Sequence, residues 1–366
     1  MSRRIRQGGF CVSTHGIMRE AVADGVIKTI VYFVDNSIHQ IPSFIYILKE
    51  TGGTILTDGG DTKTVIEQEY PGTDLELYRD RPAAVERMRA LAPEIIVHSD
   101  FTAKSFAGIP AKHIQVFHGT SDKPYNVDRR LEQYALVLLP GRKLRDDLAA
   151  RGLLQRLRVE IVGYSKLDRV FNGQLSREVE LGRLRLDPSK PSVLYAPTWR
   201  DSYGNSSIAR FCREIIAGVP DSVNLIIKLH PNTKKYDHKY YPLIASLASN
   251  RPNVRLIDYA PDIIPVMAAS DLLVGDVSSV THEYLAFNRP MVFLDSIYRL
   301  GGRRATWVWR AGKVVRKKGV AWQAIMESLA HPEKNRSVRE ELFRYIFHEP
   351  DGNAAKRAAK AIWSCL

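Results

Sequence analysis

Cysteine is scarce in this chain: there are three in 366 residues, Cys11, Cys212 and Cys365, far apart and without metal-ligand spacing. Scattered free thiols in a reducing compartment are the expectation, so the cytoplasm is the expected location. No apolar run reaches the roughly 18 residues that a membrane-spanning helix needs. The opening MSRRIRQGGFCVSTHG is basic but lacks the apolar stretch of a signal peptide. Neither G-x-G-x-x-G nor G-x-x-x-x-G-K-[ST] occurs, which argues against a dehydrogenase and a P-loop kinase. There is no zinc pattern, no RNP-like aromatic motif and no basic heptad region, so nucleic acid is not an expected partner. Internal repeats and low-complexity segments are also missing.

Positive charge, in contrast, is plentiful. Lysine and arginine total 53 against 40 acids, a net charge of +13, while 45% of residues are hydrophobic, enough for a real core. Such a balance suits an anionic substrate or an anionic membrane surface. The densest basic segment spans residues 299–318 and holds Arg299, Arg303, Arg304, Arg310, Lys313, Arg316, Lys317 and Lys318, with Trp307 and Trp309 among them. Two readings fit it: a peripheral contact with anionic lipid at the inner face of the cell membrane, or a solvated face with its tryptophans packed inward.

Buried-strand patterns alternate with helical ones along most of the chain, the signature of a doubly wound parallel sheet. Strands are expected at residues 29–36, 53–57, 94–98, 114–117, 134–139 and 159–162. After a charged connection at residues 167–191 the alternation restarts, with strands at 193–196, 225–228, 254–256, 272–274 and 291–294; residues 299–315 read as irregular. The expected fold class is α/β, with two facing Rossmann-like domains in a GT-B-like architecture. The first domain covers residues 1–166 and the second residues 167–345. Residues 346–366 form a C-terminal helix packing back on the first domain.

Several strand ends carry polar residues. The stretch SDLLVGDVSSVTHEYLAFNRPMVFLD, residues 270–295, reads strand, polar turn, helix, strand. Its Ser278 and Ser279 stand at a helix start, where they can cap the helix or donate to a phosphate. Three earlier strands end in His118-Gly119-Thr120, in Pro197-Thr198-Trp199-Arg200 and in Lys228-Leu229-His230-Pro231. Ligands of open α/β sheets sit at the carboxyl ends of the strands, and these side chains suit phosphate oxygens. Together they suggest a cleft for an anionic ligand.

These motifs resemble those of the CDP-glycerol glycerophosphotransferase family, the teichoic-acid primases and polymerases. The resemblance runs from residue 94 to residue 295 and rests on HGT at 118–120, APTWR at 196–200, KLHP at 228–231 and GDVSSVTHEYLAFNRPMVFLD at 275–295. Gly163-Tyr164-Ser165-Lys166-Leu167-Asp168 resembles the family's entry to the second half. There are departures: Ser121-Asp122-Lys123 replaces Pro-Leu-Lys, Phe117 stands where Trp is common, Val277 replaces Tyr, and Glu283 replaces Asp.

The resemblance implies attack of an acceptor hydroxyl on the glycerol-bearing phosphorus of CDP-glycerol, or a similar CDP-polyol, with CMP leaving. The acceptor would be a lipid-linked or polyol phosphate chain, in teichoic-acid-like or capsule polymer synthesis for the cell envelope. His118 is the expected general base. His230 would stabilise the diphosphate or protonate the leaving group. Gly119, Thr120 and Lys123 would face substrate on the first half. Thr198, Arg200, Lys228, Ser278 and Ser279 would hold the diphosphate, and Glu283 the ribose. Asp276 would cap its helix or support the site. No cofactor is implied, and no metal cluster is evident, although a loosely held divalent cation remains compatible. The alternative reading is a GT-B sugar transferase or a UDP-sugar 2-epimerase-like enzyme.

Overall fold

The computed structural model describes residues 29–34, 38–122, 124–200, 204–258, 260–296 and 306–366. Lys123, Arg299, Arg303, Arg304, Cys11 and the basic N-terminal stretch lie outside them. Among the described residues thirteen strands build two sheets, and every pairing is parallel. The first sheet takes β1 (Ile30–Val34), β2 (Thr54–Asp58), β3 (Leu75–Tyr78), β4 (Ile95–His98), β5 (Lys112–Gln115), β6 (Leu136–Leu139) and β7 (Val159–Ile161) in the order β3-β2-β1-β4-β5-β6-β7. The second takes β8 (Ser192–Ala196), β9 (Asn224–Lys228), β10 (Val254–Ile257), β11 (Leu272–Gly275), β12 (Met291–Leu294) and β13 (Lys313–Val315) in the order β10-β9-β8-β11-β12-β13.

Both orders reverse once, between β1 and β4 and again between β8 and β11. Such switch points leave a crevice beyond the carboxyl ends of the strands. The central strands are apolar on both faces and fully buried, as parallel strands covered by helices must be. The edge strands break that pattern. β3 alternates and is partly exposed, and β13 is a three-residue edge strand inside the basic segment expected to be irregular. A helix at Gly60–Glu69 also escapes the pattern reading.

The end of the chain returns to the first sheet. Helix Ala354–Trp363 buries Ala358, Ala361 and Ile362 in the same core as Ile30, Tyr32 and Ile114. Its small side chains let it lie against helix Pro42–Thr51. Asp168, at the entry to the second half, caps this helix: its carboxylate accepts from the Ala354 and Ala355 N–H groups at 3.0 and 2.8 Å. Burial pushes the Asp168 carboxyl up to about 6. Close approach here requires Gly163, which has φ +91°, because a Cβ on it would lie 2.9 Å from Ala354 Cβ. One helix thus stitches the linker to the first sheet.

Candidate active site at the crevice between the two sheets

Register brings the strand ends together. β11 pairs with β8 so that Gly275 lies opposite Ala196, and the chain leaves both strands side by side. Asp276 then bridges the two exits. Its carboxylate accepts from the N–H groups of Thr198 at 2.9 Å and Ser207 at 2.8 Å. Asp276 therefore supports the Pro197-Thr198 turn through backbone bonds. The expected capping of its own helix gives way to this clamp, because the helix begins two residues later at Ser278. Ser278 makes no capping bond either. Its hydroxyl oxygen is buried without a hydrogen-bond partner among the described residues. A buried unpaired hydroxyl is costly, which favours the phosphate-donor reading of Ser278 over the capping one.

On the first sheet, β5 leads to His118, and its imidazole Nδ1 lies 2.8 Å from the Ser99 carbonyl at the end of β4. A carbonyl only accepts, so Nδ1 carries the proton and Nε2 holds a lone pair. His230 is arranged the opposite way. Its Nδ1 accepts from the Asn232 N–H at 3.1 Å, which leaves the proton on Nε2. Both rings meet a third imidazole, His39, just beyond β1, with centroids at 5.8 Å for His118 and 6.2 Å for His230. Trp199 stacks on the other side of His230 at 6.1 Å. The two histidines singled out in the sequence thus converge on one crevice with complementary tautomers.

Cationic charge concentrates around them. Lys228 is 7% exposed and donates to the Leu229 carbonyl at 2.9 Å. Burial, and then Lys166, lower its ammonium to about 8. Burial and the surrounding His118, His230, Lys166 and Lys228 hold His39 down at about 3, so it is neutral at physiological pH. Arg200 is exposed at the rim, where its backbone N–H donates to the Asp237 carboxylate at 3.1 Å. Gly119 faces the second half: a Cβ there would sit 3.1 Å from Ser279 Cβ. Thr120 and Thr198 are buried beside these turns, and the Gly119 carbonyl accepts from Asn126 at 2.8 Å.

Glu283 has a partner of its own beside the crevice. It is 2% exposed and ion-paired with the equally buried Lys166 at 3.0 Å. The Tyr164 hydroxyl sits 3.3 Å from the same carboxylate and donates to the His118 carbonyl at 2.7 Å. Glu283, Lys166 and Tyr164 therefore form a strut across the two halves that ends on the backbone of His118. A second bridge lies nearby. Asp122 of the first half is 3.3 Å from His282 Nε2 and accepts from the Val308 N–H at 3.2 Å. Burial alone would raise the Asp122 carboxyl, but His282, Val308 N–H and Lys143 outweigh it and hold it below its usual range.

Sequence reasoning missed His39, His282 and the bridging roles of Asp122, Tyr164 and Lys166. For His39 a signal existed: it follows the end of β1 as His118 follows β5. For the others the partner is more than a hundred residues away. The tryptophans of the basic segment point inward: Trp309 stacks on Phe293 at 5.9 Å, and Trp307 meets the Tyr345 ring edge-on at 5.0 Å. Both rings are half-buried against the core of the second sheet, which is the inward-packed arrangement of the two readings of this segment. Arg310 pairs with Glu341, Lys313 with Glu327 and Arg316 with Asp295. Among the described residues no group of three His, Cys, Asp or Glu side chains is placed to hold a metal ion, and no helix is long and apolar enough to cross a membrane.

The family model of CDP-glycerol:poly(glycerophosphate) glycerophosphotransferases matches residues 90–364, most of the chain and both sides of the crevice. This protein belongs to that family. Among curated proteins it is similar to the teichoic acid glycerol-phosphate primase of Bacillus subtilis, with 33% identity over 106 residues, 28% of this chain and 25% of that one. It is also similar to the teichoic acid ribitol-phosphate polymerase TarL of Staphylococcus aureus, with 26% identity over 142 residues, 34% of this chain and 22% of that one. The matched stretches thus span about a quarter of those relatives' length. Among solved structures, the wall teichoic acid polymerase TagF, in a variant soaked with CDPG, superposes with a TM-score of 0.67 at 16% identity, covering 92% of this chain and 88% of that one. The S. aureus protein MnaA in complex with UDP reaches 0.63 at 14% identity, covering 92% and 96%. At such identities the likeness is one of fold, and the fold is the α/β, GT-B-like one.

Proposed function

We propose that this family member transfers glycerol phosphate, or a related polyol phosphate, from CDP-glycerol or a similar CDP-polyol to a hydroxyl of a polyol phosphate or lipid-linked acceptor. The observation that carries the reading is the pair of opposite tautomers facing one crevice. The acceptor O–H gives its proton to Nε2 of His118, and its oxygen forms a bond to the glycerol-bearing phosphorus. The bond from that phosphorus to the bridging oxygen breaks, and the electron pair leaves with CMP. A phosphate monoester has a second pKa near 6, so CMP departs as a stable anion and needs no proton. His230 is therefore a hydrogen-bond donor through Nε2–H, and not an acid: Nδ1 is already occupied by the Asn232 N–H. Donors preorganised toward developing charge are the stronger device in any case.

The second half, residues 167–345, would grip the nucleotide through Lys228, Ser278, Ser279, Thr198 and Arg200, and the first half would present the acceptor. Lys123, outside the described residues, is proposed for the acceptor side with Gly119 and Thr120. Working on a lipid-linked acceptor would bring the protein to an anionic membrane surface. Salt-reversible sedimentation with anionic vesicles tests that step.

The main experiment offers CDP-glycerol, CDP-ribitol and UDP-N-acetylglucosamine with a polyol phosphate acceptor, and follows CMP release and phosphodiester formation. CMP release with a CDP-polyol, lost by about 10²–10⁴-fold in His118→Asn, supports the reading. Turnover of the UDP-sugar alone, or full activity in His118→Asn, overturns it.

A further inference from the structure

Beyond His230 the chain runs KLHPNTKKYDHKYY, lysines interleaved with tyrosines at residues 228–241. The structure turns this into a surface ladder. Trp199 stacks on His230 inside the crevice and meets the Tyr236 ring at 5.4 Å on its outer side. Tyr236 is 54% exposed, far more than a core aromatic. Lys235 lies over the Tyr236 ring at 5.1 Å, Lys234 over Tyr241 at 4.9 Å and Lys239 over Tyr240 at 5.0 Å. All three lysines are exposed, and none forms an ion pair among the described residues. The acids within reach are occupied: Asp237 is buried and accepts the Arg200 N–H, and Asp258 accepts from the Tyr241 hydroxyl.

Unpaired cations held over aromatic faces, in a row that starts beside His230, have a specific use. Cation–π contact fixes each ammonium without neutralising it. The charge stays available to a polyanion, and the flat rings offer apolar surface to its carbon segments. A chain of polyol phosphodiesters carries one negative charge per repeat and short apolar C–H faces between charges. We propose that Tyr236, Lys234, Lys235 and Lys239 form a rim subsite that holds the already grown part of a polyol phosphate chain while its end lies in the crevice. The inference rests on the transferase reading and names how the protein would tell a long acceptor from a short one. A bilayer is the less favoured occupant, because the row leads away from the crevice, from His230 through Trp199 to Tyr236.

The test uses fluorescently labelled glycerol phosphate oligomers, a dimer and a long chain, and the full-length protein. Fluorescence anisotropy is expected to show the long chain bound about tenfold more tightly than the dimer, with a preference that shrinks as salt rises. In Lys234→Gln/Lys235→Gln/Lys239→Gln the length preference should fall to about twofold or less, while affinity for CDP-glycerol and the rate with a short acceptor stay near wild type. Tyr236→Ala, with all charges intact, should lower it by about threefold. Equal binding of both oligomers by wild type, or an unchanged preference in the triple variant, overturns the proposal. So does a triple variant that loses sedimentation with phosphatidylglycerol vesicles but keeps the length preference, which assigns the ladder to a membrane. Absence of CMP release in wild type would sink the transferase reading, whereas the anisotropy comparison judges the subsite on its own.

Discussion

Replacing Lys166 by methionine should unbalance the centre of the molecule. Lys166 and Glu283 are 6% and 2% exposed at their side chains and 3.0 Å apart. Neither carries its charge into water. Removing the ammonium leaves a buried carboxylate whose remaining neighbour among the described residues is the Tyr164 hydroxyl at 3.3 Å, already committed to the His118 carbonyl. Breaking one side of a buried pair costs about 3–5 kcal/mol, a large share of the roughly 5–15 kcal/mol that holds an ordinary domain together. Replacing both partners is different in kind. In Lys166→Met/Glu283→Gln no charge is buried, and most of the loss should return, to within about 1–2 kcal/mol of wild type. Urea unfolding of wild type, both single variants and the double variant, followed by tryptophan fluorescence, gives the coupling energy directly. Turnover adds a readout that stability alone does not supply. The strut ends on the His118 carbonyl through Tyr164, so the double variant should remain slow in transfer even where its stability is restored. A cost below about 1 kcal/mol for Lys166→Met, or a double variant no more stable than the worse single one, would refute the buried-strut account.

Three further outcomes are expected. Lys228 titrates at about 8, is charged below that pH and neutral above it; affinity for CDP-glycerol measured by calorimetry should fall as pH rises past about 8, and Lys228→Met should remove that dependence. His39 titrates at about 3 when folded but near 6.5 when unfolded, so below about pH 6.5 the unfolded chain binds a proton that the folded one does not, and stability drops by up to about 1.4 kcal/mol per pH unit toward pH 3. His39→Asn should lose stability less steeply over that window in thermal unfolding, and an identical acid limb would count against the buried neutral imidazole. Gly119→Val should weaken donor binding and slow transfer with little change in melting temperature, because its side chain would enter the 3.1 Å approach to Ser279; wild-type kinetics would show that the halves need not meet there.

The architecture was legible because it rests on local patterns. Eleven strands announce themselves as β-branched or apolar runs bounded by glycine, proline or polar turns, and the structure has strands at all of them. The two missed strands, β3 and β13, are edges, where charge and exposure replace the apolar signal. The strand-end rule found His118, Thr198, Lys228, His230, Ser278 and Ser279. It was applied to four strands only, and His39 was lost with the fifth. Roles were harder to read than places. Asp276 and Glu283 stand out in the sequence as polar residues beside strand ends; in the structure one clamps the amides of Thr198 and Ser207 and the other answers Lys166. A carboxylate's partner is chosen by the tertiary structure, and nothing within a helical turn of Glu283 reveals Lys166. The tryptophans show the same: Trp307 and Trp309 sit among basic residues in the chain but beside Tyr345 and Phe293 in space.

The tautomers show how far backbone geometry can set chemistry. His118 and His230 are the same side chain, and both stand at strand ends over the same crevice. Their difference comes from one neighbour each: a carbonyl at the end of β4 for His118, an amide at the start of helix Pro231–Tyr236 for His230. The carbonyl makes one ring a base at Nε2, and the amide makes the other a donor there. Neither neighbour depends on the identity of its own side chain, so substitution of Ser99 or Asn232 should leave the tautomers intact. Proline at position 232 is different, because it has no N–H. Asn232→Pro frees Nδ1 of His230 to take a proton or switch tautomer, and the preceding residue must still accommodate a following proline in its extended form. That residue is Pro231, the first of the helix, so the change costs part of the first helical turn. The expected result is a new pH dependence of transfer in the range where free imidazole titrates, near 6.5, with the fold retained by circular dichroism. An unchanged pH–rate profile in a folded Asn232→Pro variant would mean that the amide does not set the proton on His230, and the division of labour between the two histidines would have to be given up.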